Sequence, residues 1–400
     1  MHDAHWLQSC SPAFRLMIAT SWLAPELWQE KQEEVIREVL GDGLDWAEYL
    51  RLVNRHRTPA LSWAALQRVS GLEIPEFIRQ ELYKGSKGCQ MRAIRHAMRL
   101  AEVLKTFNSA GIAVMPLKGP LLSLALYGDL GLRQSHDLDM ACSPRDLSPA
   151  RVCLEGLGWH SEESAASLTP RQWQSFLRNE QHLSFVHSQT GDLLELHWRN
   201  LYETTDQTST KWARSYTSVW QGCSYQVMHP VDLILYLCNH GGGHAWFRAK
   251  WLGDLARLHT EGKVDWALCL EHARKFGHER VLLSSLLLLK EVYELPVPKL
   301  AQAQWRSLPP FLIKRAHHAL KAPEANSVLA TLMESIYIYR YDQLVLPRQG
   351  WWKSLAKFLY RRADYHILRL PDWLFWAYVP LRPVLWIWRR IVRGGAGQQA

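Results

Sequence analysis

Several things are missing from this chain, and each absence excludes a class of protein. No Cys-x-x-C pair occurs, and the seven cysteines (10, 89, 142, 153, 223, 238 and 269) are scattered. That excludes a disulfide framework and a cysteine zinc site, and reads as reduced thiols in the cytoplasm. The first residues, Met1-His2-Asp3-Ala4-His5, lack the basic region and long apolar run of a secretory signal. There is no internal repeat and no low-complexity tract, which argues against a solenoid or a disordered linker protein. Acidic residues are nearly absent from one region, the segment 344–400, which carries only Asp364 and Asp372.

What is present is a folded-protein composition, 48% hydrophobic and 21% charged, over a length of 400 residues that suits two or more domains. The chain holds 20 Trp. Segment 344–400 sets ten basic residues against its two acids, so it carries eight of the nine net positive charges. The main body is therefore near neutral and has no overall nucleic-acid charge signature; nucleic acid is not an expected partner. Within the tail, Trp373 to Leu381 and Pro383 to Trp388 form an apolar stretch broken by Arg382 and two prolines. It is too short and too interrupted for a span of about 20 apolar residues. Rich in Trp and flanked by Arg361-Arg362 and Arg389-Arg390, it suits the interface of an anionic membrane. The alternative is a basic helix pair packed on the body or on a partner. The expected location is cytoplasmic, with peripheral contact at the inner face of the membrane through residues 344–400.

Periodicity divides the chain into four parts. Residues 1–110 read as an N-terminal helical region, with a stop at Gly41-Asp42-Gly43, a break at Thr58-Pro59 and a long helix from about Ile78 to Ser109 that ends at Ala110-Gly111. Residues 111–229 change period. Ile112 to Leu117 predicts a strand, Lys118-Gly119-Pro120 a turn, and Leu121 to Tyr127 a short helix. Asp137 to Ala141 predicts a strand, Ser143 to Leu157 a helix, and His182–His187 with Asp192–His197 a strand pair. Residues 230–343 return to helix, with an expected interruption at His240-Gly241-Gly242-Gly243-His244. Segment 344–400 is the basic tail. The fold class expected is α+β: a small mixed-sheet unit embedded between mostly helical regions.

The chemistry-bearing residues lie in the middle part. Side chains alternate along a strand, so Asp137 and Asp139 project from one face while Leu138 and Met140 face a core. Glu195 sits between Leu194 and Leu196 as the lone acid of a second strand, with His197 on the same face. Three carboxylates converging on one sheet face repel one another unless a cation lies among them. Mg²⁺ takes such oxygen ligands, usually from one or two carboxylates and substrate phosphates.

The motifs Leu117-Lys118-Gly119, Leu126-Tyr127-Gly128-Asp129, Arg133, Asp137-Leu138-Asp139 and Gly156-Leu157-Gly158-Trp159 occur in that order. Glu195-Leu196-His197-Trp198, His229-Pro230-Val231-Asp232-Leu233 through His240, and Trp251-Leu252-Gly253-Asp254-Leu255-Ala256 follow. Together, over roughly residues 40–300, they resemble the bacterial family of uncharacterised nucleotidyltransferases within the polymerase-β-like superfamily. The resemblance implies that Asp137, Asp139 and Glu195 are the catalytic carboxylates and ligands of Mg²⁺, with two ions expected. It implies that Lys118 and the Gly119 backbone face the triphosphate of an NTP. Arg133, in the loop just before the acidic strand, is read from its position as a second phosphate clamp, and Ser123, one helical turn past Gly119, as a further phosphate contact. The acceptor is left open among small molecules, saccharides, peptides and proteins. One position departs from the wider superfamily, which has Gly or Ser after the turn glycine. Here Pro120 stands there and lacks an N–H donor. That departure supports a rival reading, a non-catalytic scaffold that binds nucleotide or a partner and carries a membrane-associating tail.

Four more residues are candidates for substrate contact. His197 shares the face of Glu195. His240 and His244 are four residues apart, a metal-ligand spacing on a helix, but each intervening glycine costs a helix roughly 1 kcal/mol, which favours a structural role, or a substrate contact at a helix end, over a zinc site. Asp254 is an acid on an apolar helix and is expected either to pair internally or to reach the site. Trp198, Trp246 and Trp251 are expected in the core.

Overall fold

The computed structural model describes residues 6–394 except 41–42, 162–167, 200–204, 306–307, 323–327 and 346–358. The Gly41-Asp42 stop, the first five residues and the basic residues at 348, 353 and 357 lie outside the described part. The chain opens with five helices: α1 Pro12–Thr20, α2 Glu26–Leu40, α3 Trp46–His56, α4 Pro59–Arg68 and the long α5 Glu76–Ser109. Their starts follow local chemistry. The Ser11 side chain accepts from the Phe14 amide at α1, and Asp45 accepts from Ala47 and Glu48 at α3, satisfying amide donors that a helix N-terminus leaves open. These helices do not form a core of their own. Their apolar faces join those of α10 Pro230–Gly243, α11 Ala249–Thr260, α12 Trp266–Phe276, α13 Glu279–Tyr293 and α15 Pro310–Lys321 in one hydrophobic cluster. The two helical regions are thus packed on each other, although the α/β segment separates them in sequence.

That segment is an α+β unit around a five-stranded sheet of order β1-β2-β5-β4-β3. Its elements are β1 Val114–Pro116, α6 Pro120–Tyr127, β2 Asp137–Cys142, α7 Leu147–Gly156, β3 Trp159–Ser161, α8 Pro170–Asn179, β4 His182–His187 and β5 Leu193–His197. After α9 Thr205–Arg214, a two-stranded hairpin follows, β6 Tyr216–Trp220 with β7 Cys223–Val227. β2 and β5 run parallel at the centre; the remaining pairs of the sheet are antiparallel. One face of the sheet is apolar. Leu138, Met140, Cys142, Leu183, Phe185, Leu194 and Leu196 pack with Leu100, Val103, Leu104 and Phe107 of α5 and with Leu147, Ala150 and Leu154 of α7. Burying that face fixes register, because a one-residue slip would turn every acid into the core and every leucine out of it.

The expected strands at Ile112–Leu117, Asp137–Ala141, His182–His187 and Asp192–His197 are all present, with the first reduced to Val114–Pro116. β3, the β6–β7 hairpin and α8 were not anticipated. β3 is three residues long, too short to establish a period of two. The expected helix from Ser143 begins with a 3₁₀ turn, Pro144–Asp146, before α7.

The glycine run 241–243 corrects an expectation. It does not interrupt the helix; α10 continues to Gly243. A Cβ built at Gly241 would lie 2.2 Å from a ring atom of Trp246, and one at Gly242 would lie 2.6 Å from Tyr341 Oη. The glycines are there because two aromatic side chains press against the helix backbone. The chain then reverses through Ala245 and Trp246, both at positive φ, while the Trp246 amide donates to Gly241 O at 2.8 Å. Packing outweighs the helix propensity lost to glycine.

The tail also differs from its reading as a broken stretch. Helix α17 Arg362–Ile367, a 3₁₀ segment Asp372–Ala377 and helix α18 Tyr378–Gly394 follow α14 Lys299–Gln302, α15 and α16 Val328–Val345. Pro380 falls in the first turn of α18, where no amide donor is needed, and the helix accommodates Pro383 inside it. The tail packs on the α/β unit. Gln172 Nε2 donates to Tyr378 Oη at 3.0 Å and to Leu370 O at 2.9 Å, and Tyr365 Oη bonds Ser175 Oγ at 2.9 Å. Arg382 is held by Asp364 at 2.6 Å. This is the helix-packing alternative. No helix among the described residues is long and apolar enough to cross a membrane.

The glycine run gives a prediction with a definite sign. Helix propensity alone would make Gly241→Ala stabilising by about 0.5–1 kcal/mol. The contact with Trp246 instead predicts a loss of about 1–3 kcal/mol from overpacking, read as a lower denaturation midpoint in urea. A raised midpoint would contradict the packing account.

Candidate active site

The site is built on the polar face of the sheet. In the parallel register Asp139 stands opposite Glu195 and Ala141 opposite His197. In the antiparallel register of β4 and β5, His182 stands opposite His197. Asp137, Asp139, Glu195, His197 and His182 therefore share one face, and Glu195 and His197 share it because they are two residues apart. Above them is a cavity of about 370 Å³, whose far wall comes from α10, α11 and the link between them. Tyr236, His240, His244, Phe247 and Trp251 line that wall. The rings are in mutual contact: His240 lies 5.0 Å from His244 and 4.8 Å from Trp251, centroid to centroid. Trp198 and Trp246 are in the core as expected, whereas Trp251 is only partly buried and faces the cavity.

Charge on the floor is balanced locally. Lys118 Nζ is 3.1 Å from Asp139 Oδ1, and His197 Nε2 is 3.4 Å from the same oxygen and 3.2 Å from Glu195 Oε2. His182 Nε2 lies 3.7 Å from Glu195 Oε1. Burial raises the Asp137 pKa, and its neighbour Asp139 raises it further. Burial would raise Asp139 too, but the Lys118 ammonium and His197 overcome it and hold the carboxyl well below its usual range. Burial likewise opposes the Glu195 charge, yet His197 and His182 keep its pKa lowered. His197 moves the other way: burial disfavours its charge, and the two carboxylates raise its pKa. On the far wall His240 is pushed well below its ordinary value, chiefly by burial and then by Lys118. The His244 ring is reached by solvent at the cleft mouth, but the surrounding protein and Lys118 lower its pKa to about 4. Both imidazoles are neutral at pH 7.

The carboxylates fit a divalent cation. Both oxygens of Asp139 are buried and neither accepts a hydrogen bond of normal geometry. Asp137, Asp139 and Glu195 supply a hard oxygen donor set suited to Mg²⁺. A second donor set overlaps it. One ligand atom each from His182, Glu195 and His197 lie within 4.8 Å of one another.

Two anticipated phosphate contacts have other partners. Arg133 Nε is bonded to Asp254 Oδ2 at 2.8 Å, with both side chains almost wholly buried. Ser123 Oγ donates to Asp129 O at 2.6 Å and accepts from the Arg133 amide at 3.0 Å. Lys250, one helical turn before Asp254, donates to Gln134 O at 2.8 Å. These residues fasten the loop 128–136, which delivers Asp137 to the head of β2. Asp254 thus takes the internal pairing that was one of its two expected fates. The turn at Lys118 does have the expected backbone. Gly119 has φ 77° and ψ −152° and precedes α6 as its cap, a conformation that favours glycine.

The matching span completes the picture: a family model described as an uncharacterised nucleotidyltransferase covers residues 42–294, more than half of the chain. The chain belongs to that family. No curated protein and no solved structure matches it. The matched span of this nucleotidyltransferase takes in the whole sheet and both cavity walls. Reading the sequence missed His182, Tyr236 and Lys250. His182 was recoverable, because pairing two predicted strands as a hairpin puts it beside His197. Tyr236 and Lys250 come from helices whose position over the sheet no local pattern gives.

The Arg133–Asp254 pair yields a discriminating prediction. Arg133→Met leaves a buried, unpaired carboxylate and should destabilise the fold by about 3–5 kcal/mol. Arg133→Met with Asp254→Leu should recover a substantial part of that loss. A phosphate clamp would give the reverse pattern: unchanged thermal unfolding of Arg133→Met with loss of nucleotide affinity.

Proposed function

We propose that this nucleotidyltransferase moves a nucleoside monophosphate from an NTP to an acceptor, in a Mg²⁺-dependent reaction that releases pyrophosphate. The observation that carries this reading is the set of three carboxylates held in register on one sheet face beneath a cavity. Asp137, Asp139 and Glu195 would hold the ion or ions. Bound there, Mg²⁺ supplies charge neutralisation for the phosphates and for the entering and leaving oxygens. The protein's own share is positioning and electrostatics. Lys118 neutralises Asp139 in the free enzyme, and its ammonium is within reach of a triphosphate that enters above the carboxylates. Pro120 removes one amide from the phosphate turn, so more of that task falls to Lys118. Glu195, with its lowered pKa, is ionised at neutral pH and can accept the acceptor's hydroxyl proton. The acceptor oxygen then forms its bond to the α-phosphorus as the bridging P–O bond to the β-phosphate breaks, and that bond's electrons leave with pyrophosphate. The ring wall of Tyr236, Phe247 and Trp251 suits stacking of a nucleobase.

The reaction is taken to be cytoplasmic. A second property rests on a separate observation. Trp373, Trp376 and Trp388 are 72%, 63% and 56% exposed, and the tail around them is basic. We propose that this tail meets anionic membrane surfaces from the side. Flotation with phosphatidylglycerol vesicles tests it: the full chain should float, and a chain ending at residue 343 should not. Equal flotation of the two excludes the tail as anchor.

For the catalytic reading, equilibrium dialysis with labelled NTPs is the direct check. The wild type should bind nucleotide more tightly with Mg²⁺ than without it. Asp137→Asn/Asp139→Asn should lose that difference, a fall of about tenfold or more, equivalent to about 1.4 kcal/mol. Equal Mg²⁺-dependent binding by both proteins would sink the proposal.

A further inference from the structure

Next to the catalytic cavity lies a second, open groove of about 470 Å³. Arg51, Arg55, Arg57 and Arg248 line it together with Asn54, Gln134 and His136. Arg57 and His136 line the catalytic cavity as well, so the two spaces are contiguous. No carboxylate lines the groove among the described residues. The main body of the protein is near neutral in net charge, so four arginines around one groove are a local concentration against that background.

The four arginines are not equivalent. Arg55 donates to the carbonyls of Ala319 and Leu320 at the end of α15, at 2.6 and 2.9 Å. Arg248 is buried and stacks 4.9 Å from the Phe247 ring centroid. These two form a fixed cationic floor. Arg51 is exposed and approaches Glu48 of the same helix at 3.8 Å. Arg57 stands at the junction of the two spaces. It caps α3 in the left-handed conformation, with φ 58° and ψ 47°. Glycine is the usual residue there, and an L side chain costs roughly 1 kcal/mol. The fold keeps a cation at a position where local backbone energetics favour its removal, a pattern that accompanies functional sites.

We propose that this arginine groove binds the phosphoryl group of the acceptor, so that the acceptor is a phosphate monoester whose free hydroxyl reaches the carboxylate cavity. This rests on the nucleotidyl-transfer reading. Guanidinium forks match a phosphate dianion with paired hydrogen bonds. The hydroxyl end then faces Glu195 while the NTP fills the ring-walled cavity above the carboxylates. The reaction balances as before: the acceptor oxygen gains the nucleotidyl phosphorus, pyrophosphate leaves, and the phosphate ester in the groove is unchanged.

The test uses the full chain with the nucleotide site filled by Mg²⁺ and α,β-methylene-ATP. Fructose 1,6-bisphosphate is the phosphate-ester probe and fructose the neutral control, both followed by calorimetry. Arg51→Gln and Arg57→Gln, singly and together, remove cations without shortening the helix, and circular dichroism melts report whether each variant folds. The expected result is binding of the bisphosphate but not of fructose, with a loss of about tenfold or more in the double variant and, for Arg51→Gln, at a position that lines the groove and not the cavity, unchanged affinity for the nucleotide analogue. Absence of bisphosphate binding by the wild type, or equal binding by wild type and folded variants, overturns the proposal. An equal loss of nucleotide affinity in Arg51→Gln also overturns it, since the groove would then serve the triphosphate. Failure of the analogue to bind the wild type would instead count against the nucleotidyl-transfer reading, while the bisphosphate titration, run without nucleotide, still reads the groove.

Discussion

The parallel register of β2 against β5 is the constraint on which the rest of the molecule depends. It puts Asp139 directly opposite Glu195, at a strand spacing of about 4.8 Å. Like charges directly opposite on neighbouring strands repel, and Asp137 adds to the same field. The sheet tolerates this because its other face is a continuous layer of leucines, methionine and phenylalanine packed on α5 and α7. Slipping the register to relieve the repulsion would bury the acids and expose that layer. The charges are instead met by Lys118 and His197. The site is therefore a place where apolar packing on one side enforces electrostatic tension on the other, a tension that the divalent cation of the proposed reaction would relieve.

The surroundings serve to keep this geometry. Arg133, Asp254 and Lys250 tie the loop ahead of β2 to α11. The packing of Trp246 and Tyr341 against the glycines of α10 lets that helix run unbroken to the cleft, so that Tyr236 and His240 overlook the carboxylates. The shared core of the N- and C-terminal helices holds α10 and α11 over the sheet. The cavity thus brings acids, a lysine and neutral imidazoles together in one space.

Much of this was legible in the sequence. Asp-x-Asp between apolar residues and a lone Glu on a second apolar run have the period of strands, and the order of motifs supplied the family. The mixed fold class followed from the change of period at Ile112. What could not be read was set by contacts between distant segments. The role of the glycine run depends on Trp246 and Tyr341, one of them about a hundred residues away. Arg133 looked like a phosphate ligand because its partner, Asp254, comes from a helix on the far side of the chain. His182 was within reach, since the predicted pairing of its strand with that of Glu195 already places it beside His197. The arginine groove has no linear signature, since it joins α3 to the loop before β2 and to the start of α11.

Crystals of the protein soaked with Mn²⁺ and α,β-methylene-ATP, examined by anomalous diffraction, test the central claim most directly. The account predicts an anomalous peak among the carboxylates of Asp137, Asp139 and Glu195, with Lys118 drawn from Asp139 toward the phosphates. Bound nucleotide with no metal among the three carboxylates, and Lys118 still paired with Asp139, would contradict it.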